Sequence, residues 1–117
     1  MSSKTIICDI DGCLLHHDGP LYDKLLNQKS SFALQGVLKK LQEWESKGYR
    51  VILMTGRKES MRSFTEKQLE QAGVFYDVLI MGMPSPRILI NDISPSLGLT
   101  AYSINLERNT GLSEVEI

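Results

Sequence analysis

Cysteine is scarce in this chain, and so is any surplus of charge. Two cysteines, Cys8 and Cys13, are too few for a disulfide framework, and their spacing is neither a redox pair nor a zinc half-site. Reduced thiols are expected. Lys and Arg number 13 against 14 Asp and Glu, a net charge of −1, so no global basic field exists to hold nucleic acid or an anionic membrane. Long hydrophobic runs are missing too: Val51 to Met54 and Val78 to Met81 fall far short of the roughly 20 residues a membrane span needs. Lys4 leads directly into Thr5-Ile6-Ile7-Cys8 with no apolar targeting region before it, which gives the expectation of a cytoplasmic chain with no membrane partner. No internal repeat or low-complexity tract interrupts the 117 residues. Their number and a 42% hydrophobic content fit a single domain over 1–117 with one core.

What is present is an alternation of strands and helices. Thr5 to Cys8, Arg50 to Met54, Asp77 to Met81 and Arg87 to Ile90 are short runs rich in Ile, Val and Leu, the pattern of strands buried in a parallel sheet. Thr100 to Ile104 is a weaker fifth. Leu34, Val37, Leu38, Leu41 and Trp44 recur at steps of three and four, predicting a helix that Gly48 terminates. A second helix is predicted from about Ser60 to Ala72, with Met61, Phe64, Leu69 and Ala72 inward, Ser63 and Glu66 spaced as a capping box, and Gly73 at its end. Residues 12–32 lack periodicity and read as a flap, and Asn109 to Ile117 read as a loosely attached tail.

Such alternation is the signature of an α/β fold, whose ligands bind beyond the carboxyl ends of the strands. Asp9 and Asp11 follow the first predicted strand, Thr55, Gly56 and Arg57 the second, and Asn91 with Asp92 the fourth. Two carboxylates one residue apart repel each other, a cost that a divalent cation removes. Hard oxygen donors suit Mg²⁺, with Asp9 and Asp92 as side-chain ligands. With a phosphate's charge screened, Asp9 can attack phosphorus to give an aspartyl-phosphate, and Asp11 can protonate the departing alkoxide and later activate water. Thr55 and the amides of the Gly56 turn can donate to the phosphoryl oxygens. Arg57 is a candidate substrate contact, with a solvated loop arginine as the alternative. The bland readings cover the rest: Cys8 is core, Cys13 a packed small residue, and Trp44 and Phe64 core. His16, His17 and Asp18 are too close together to wrap a tetrahedral zinc.

These segments resemble the haloacid dehalogenase superfamily of phosphotransferases. Ile6-Ile7-Cys8-Asp9-Ile10-Asp11-Gly12-Cys13-Leu14 is similar to its first motif, a strand followed by D-x-D-G-[TC]-L. Val51-Ile52-Leu53-Met54-Thr55-Gly56-Arg57 is similar to the second, and Ile88-Leu89-Ile90-Asn91-Asp92 to the fourth. The resemblance runs from Lys4 to about Ile104. It implies a three-layer Rossmann-like domain with a mostly parallel central sheet, and a Mg²⁺-dependent phosphatase. Asp9 is then nucleophile and metal ligand, Asp11 acid/base and backbone-carbonyl metal ligand, Thr55 phosphate donor and Asp92 metal ligand.

Two positions depart from that pattern. Gly82-Met83-Pro84 stands where relatives often read G-K-P, so Arg87 either supplies the missing positive charge to phosphate or points away from the crevice. The acidic pair is reduced to Asn91-Asp92. Residues 12–32 and 56–76 leave no room for a cap domain, so the site is expected to be open unless a homo-oligomer covers it. The function expected is hydrolysis of a small phosphorylated metabolite, a sugar phosphate by analogy. The alternatives are a catalytically weakened module that binds phosphate ligands or a protein, and a nucleic-acid end phosphatase, which the near-neutral charge disfavours.

Overall fold

The computed structural model describes residues 3–17 and 32–117. Most of the expected flap, and Asp18 with it, lies outside them. Within them the elements run β1 (Thr5–Asp9), α1 (Val37–Ser46), β2 (Arg50–Met54), a 3₁₀ turn (Glu59–Met61), α2 (Arg62–Gln71), β3 (Val78–Ile80), β4 (Ile93–Ser94) and β5 (Gly98–Leu99). The α/β class is as expected.

β1, β2 and β3 form a parallel sheet in that order, with Cys8 opposite Leu53 and Leu53 opposite Leu79. Side chains alternate across it. Val51, Leu53 and Leu79 are buried, whereas Ile52, Met54, Val78 and Ile80 are half-buried and Ile7 is exposed. Both crossovers step the same way across the sheet, and right-handed connections then place α1 and α2 on one face. The core forms there, from Val37, Leu41 and Trp44 of α1, Leu69 of α2, and Val51, Leu53 and Leu79 of the sheet.

Both helices stop by the same device. Tyr49 N–H reaches Trp44 O and Gly48 N–H reaches Glu45 O, each at 2.9 Å. Val74 to Leu69 and Gly73 to Glu70 repeat this at 2.9 and 3.0 Å. That is the Schellman closure, in which both glycines sit at positive φ. The starts differ from expectation. α2 begins after Met61 with no side-chain cap, so Ser63 and Glu66 do not make a capping box; the 3₁₀ turn leads the chain in instead.

The predicted fourth and fifth strands, Arg87 to Ile90 and Thr100 to Ile104, do not form. Ile88, Leu89 and Ile90 are 84, 63 and 89% exposed, and the nearest regular structure is the small antiparallel hairpin β4–β5. The reason lies in the connection. Gly82 N–H bonds to Arg57 O and Met83 N–H to Thr55 O, at 2.7 and 2.9 Å, which ties the chain to the carboxyl end of β2. The five residues Gly82 to Pro86 reach at most about 18 Å. A further parallel strand needs a start at the opposite end of the sheet, and Arg87 stays at the end where the connection began.

The tail is not loose. Leu112 and Val115 are 2 and 6% exposed, and Leu112 N–H bonds to Gln35 O at 2.9 Å. A Cβ on Gly111 would collide with the Gln35 backbone, and one on Gly36 with Ser113, so this close approach needs glycine on both sides. Leu112→Ala should therefore cost about 2–4 kcal/mol of stability, as a buried leucine does. Urea unfolding checks it, and a change below about 0.5 kcal/mol would return the segment to the status of a free tail.

Candidate active site

The acids sit on a knotted turn. Ile10 O collects the N–H groups of Cys13, Leu14 and Leu15 at 3.3, 2.9 and 3.0 Å, and Gly12 N–H returns to Leu15 O at 2.7 Å, with Gly12 at φ +89. Ile10, Leu14 and Leu15 are fully buried and anchor the turn in the core. Asp9 and Asp11 therefore project beyond the carboxyl end of β1. Ile10 N–H donates to Asp9 Oδ1 at 2.9 Å, fixing that carboxylate's rotation.

The turn is also stitched to the tail. Asn109 N–H donates to Gly12 O at 2.8 Å. The Asn109 side chain accepts from His17 N at 2.7 Å and donates to His17 O at 3.3 Å. This asparagine, at φ +68, carried no recognisable sequence signal.

From β2 comes Thr55, buried at 1% exposure, whose Oγ1 accepts the Arg57 N–H at 3.1 Å across the Gly56 turn. That acceptance leaves the hydroxyl proton for another acceptor. Arg57 is also buried, with 6% of the residue exposed. Its Nε and Nη2 donate to Asp11 Oδ2 and Oδ1 at 3.0 and 2.8 Å, while Nη1 donates to Thr65 Oγ1 at 3.1 Å and Gln68 Oε1 at 2.7 Å. Arg57 therefore faces Asp11 rather than an incoming substrate or solvent. Thr65 and Gln68 were missed in the sequence reading. Their signal was spacing: with Leu69 and Ala72 they share the inward stripe of α2, where a buried Thr and Gln need a polar partner.

Arg87 lies beside Asp9, with Nη1 3.5 Å from Asp9 Oδ2. Its Nε and Nη2 both donate to Met83 O, at 3.1 and 2.9 Å. Of the two alternatives open for this arginine, the structure has the one that points into the crevice. Met83, in the position of the expected lysine, contributes its carbonyl.

Asp92 is not brought to this group. It is exposed on the hairpin arm, where Thr100 Oγ1 donates to its carbonyl at 2.6 Å and Asn91 Nδ2 donates to Thr100 Oγ1 at 3.3 Å. Among the described residues no three His, Cys, Asp or Glu side chains form a group that could hold a metal ion. A three-carboxylate cation site over Asp9, Asp11 and Asp92 is therefore not assembled. The donors that remain still suit Mg²⁺, which takes one or two protein oxygens and fills its shell with water and substrate phosphate. Asp9's partly exposed carboxylate and the Asp11 carbonyl are of that kind; the Asp11 side chain is engaged by Arg57.

Neither cysteine next to the acids sits where its thiolate is favoured. Burial, with Cys13 and Asp9 adding to it, pushes the Cys8 thiol far up; burial and Asp9 push Cys13 up as well.

Residues 2–86 match the family model of the HAD superfamily, subfamily IIIB (acid phosphatase). The chain belongs to that family. The match spans both acids, Thr55, Gly56 and Arg57. No curated protein matches. Among solved structures, this chain is similar to one titled as a Pnkp1/Rnl/Hen1 complex, with 32% identity over 68% of this chain and 28% of the other and a TM-score of 0.53. A second, titled as the Pnkp1/Rnl/Hen1 RNA repair complex, gives 32% identity over 68% and 25%, with a TM-score of 0.52. The chain thus spans about a quarter of the length of either. A Vibrio cholerae protein is 19% identical over 85% of this chain and 79% of its own, with a TM-score of 0.49.

Raised thiol pKa values mean a smaller thiolate fraction at neutral pH. Iodoacetamide at pH 7.5 should modify both cysteines more slowly than free cysteine, Cys8 the more slowly of the two. Mass spectrometry of timed samples checks this, and rapid labelling of Cys13 would refute it.

Proposed function

We propose that this chain hydrolyses phosphomonoesters through an aspartyl-phosphate on Asp9. The observation that carries the reading is the pairing of two adjacent carboxylates with two different arginines, in a family whose members are acid phosphatases. Asp9 Oδ2 attacks phosphorus from the side that Arg87 faces, and the phosphoryl oxygens lie against the Arg87 guanidinium, the Thr55 hydroxyl and the amides of the Gly56 turn. Asp11, after taking up a proton from solvent on a carboxylate edge that the Arg57 fork leaves open, passes it to the alkoxide as the ester P–O bond breaks. It then takes a proton from the water that attacks phosphorus, which frees Asp9 and releases inorganic phosphate. Mg²⁺, held by the Asp9 carboxylate and the Asp11 carbonyl, would supply further charge neutralisation on the phosphate.

For the substrate we infer a small phosphorylated metabolite of the sugar-phosphate kind. The near-neutral charge supports this, because a polyanionic partner would call for a basic surface. A second reading, a nucleic-acid end phosphatase, has one specific observation in its favour: the 32% identity to chains of an RNA repair complex.

Phosphate release measured over sugar phosphates and 3′- and 5′-phosphorylated oligonucleotides should show turnover that EDTA lowers and Mg²⁺ restores. Asp9→Asn should lose at least about 1,000-fold, as expected for a covalent nucleophile. The absence of turnover across the whole panel rejects the phosphatase reading. A marked preference for oligonucleotides, falling steeply with salt, replaces the metabolite with a nucleic-acid end.

A further inference from the structure

Arg57 is the most heavily committed side chain in the described part of the molecule. Two of its nitrogens hold both oxygens of Asp11, and the third holds Thr65 Oγ1 and Gln68 Oε1. Its side chain is only 3% exposed, against 18% for Asp11, so the arginine lies beneath the acid and the acid lies nearer the surface. A guanidinium so placed has no nitrogen left for a phosphate. It has the geometry of a bracket: one end is bolted to α2 and the other grips a carboxylate in the plane of the fork.

We propose that Arg57, Thr65 and Gln68 form a positioning set. Together they aim Asp11 at the leaving-group oxygen and so set how well the enzyme expels alkoxides that cannot leave without a proton. The inference rests on the phosphomonoesterase reading above and adds three residues to it, two of them on α2.

The physical case has three parts. Asp11 sits two residues past the end of β1, on a turn whose backbone is fixed by the Ile10 and Gly12 hydrogen bonds; its χ angles are not fixed by that backbone. A bidentate fork removes the remaining rotation, because both carboxylate oxygens must lie in the guanidinium plane. The fork would swing about its own Cδ–Nε axis without a hold on its far nitrogen. Gln68 Oε1 at 2.7 Å and Thr65 Oγ1 at 3.1 Å supply that hold. Proton transfer depends steeply on donor placement, so a loosened Asp11 loses the protonation of the leaving group while Asp9 keeps its attack.

This separates two kinds of ester. An alkyl phosphate such as glycerol phosphate needs the proton as the P–O bond breaks; p-nitrophenyl phosphate loses a stable phenolate without it. The ratio kcat/KM reports only the steps up to formation of the aspartyl-phosphate, so the later water-activating task of Asp11 does not enter. Arg57→Gln should lower kcat/KM for glycerol phosphate by about 100-fold and for p-nitrophenyl phosphate by less than about 10-fold. Gln68→Leu and Thr65→Val touch neither acid and keep the test alive if Arg57→Gln does not fold; each should show the same selectivity at about 5- to 20-fold. In an Asp11→Asn background, Arg57→Gln or Gln68→Leu should cost less than about 3-fold more, because there is no proton left to aim.

Equal losses for the two esters, or full additivity with Asp11→Asn, would overturn the positioning role while leaving the phosphatase reading in place. A wild-type chain that releases phosphate from neither ester would overturn both.

Discussion

The site depends on one buried ion pair. Asp11 and Arg57 are largely withdrawn from water, and two charges taken out of solvent are costly unless their geometry is good and every remaining polar atom is satisfied. Here the geometry is bidentate at 2.8 and 3.0 Å, and α2 satisfies the remaining nitrogen, Nη1, through Thr65 and Gln68. Removing any one partner exposes the others to the full desolvation penalty. The same contacts draw together the end of β1, the turn after β2 and the middle of α2, so the carboxyl end of the sheet and the helical layer are held by a single charged knot.

Beside it, Arg87 and Asp9 form a looser, half-exposed pair at 3.5 Å. The contrast suits the proposed tasks: a charge that is to meet an incoming phosphate must be within reach and only weakly engaged, whereas one that is to hold a neighbour still must be neither. The Met83 carbonyl accepts from two of Arg87's nitrogens and leaves the third toward Asp9, so the position that reads lysine in the usual G-K-P order meets Asp9 only through the arginine four residues later.

How much of this was legible depended on whether a residue's role was local. β2 reads correctly from Arg50 to Met54 because a buried parallel strand is a continuous apolar run. Both helix ends read correctly because Gly48 and Gly73 close Schellman turns. The placing of Asp9, Asp11 and Thr55 at the carboxyl end of the sheet was legible because they end or follow such strands. Arg87 to Ile90 has the same apolar composition and fails, since its fate is set by the shortness of Gly82–Pro86 and the bonds that fasten Gly82 and Met83 to β2. Leu112 and Val115 are buried without any periodicity, so only the tertiary structure reveals them. The sequence offers Arg57 only as a substrate contact or a solvated loop residue, because nothing adjacent announces that two of its partners lie eight and eleven residues downstream.

The stitching of Asn109 to the acid-bearing turn has a mechanical consequence. Two hydrogen bonds to His17 and one to Gly12 O, with the Arg108 side chain packed over Gly12, make the final stretch of chain a brace for the loop that carries Asp9 and Asp11. The acid-bearing turn is thus held from both ends of the chain, and a cut or deletion just before residue 109 removes one of its two anchors while leaving the first strand whole.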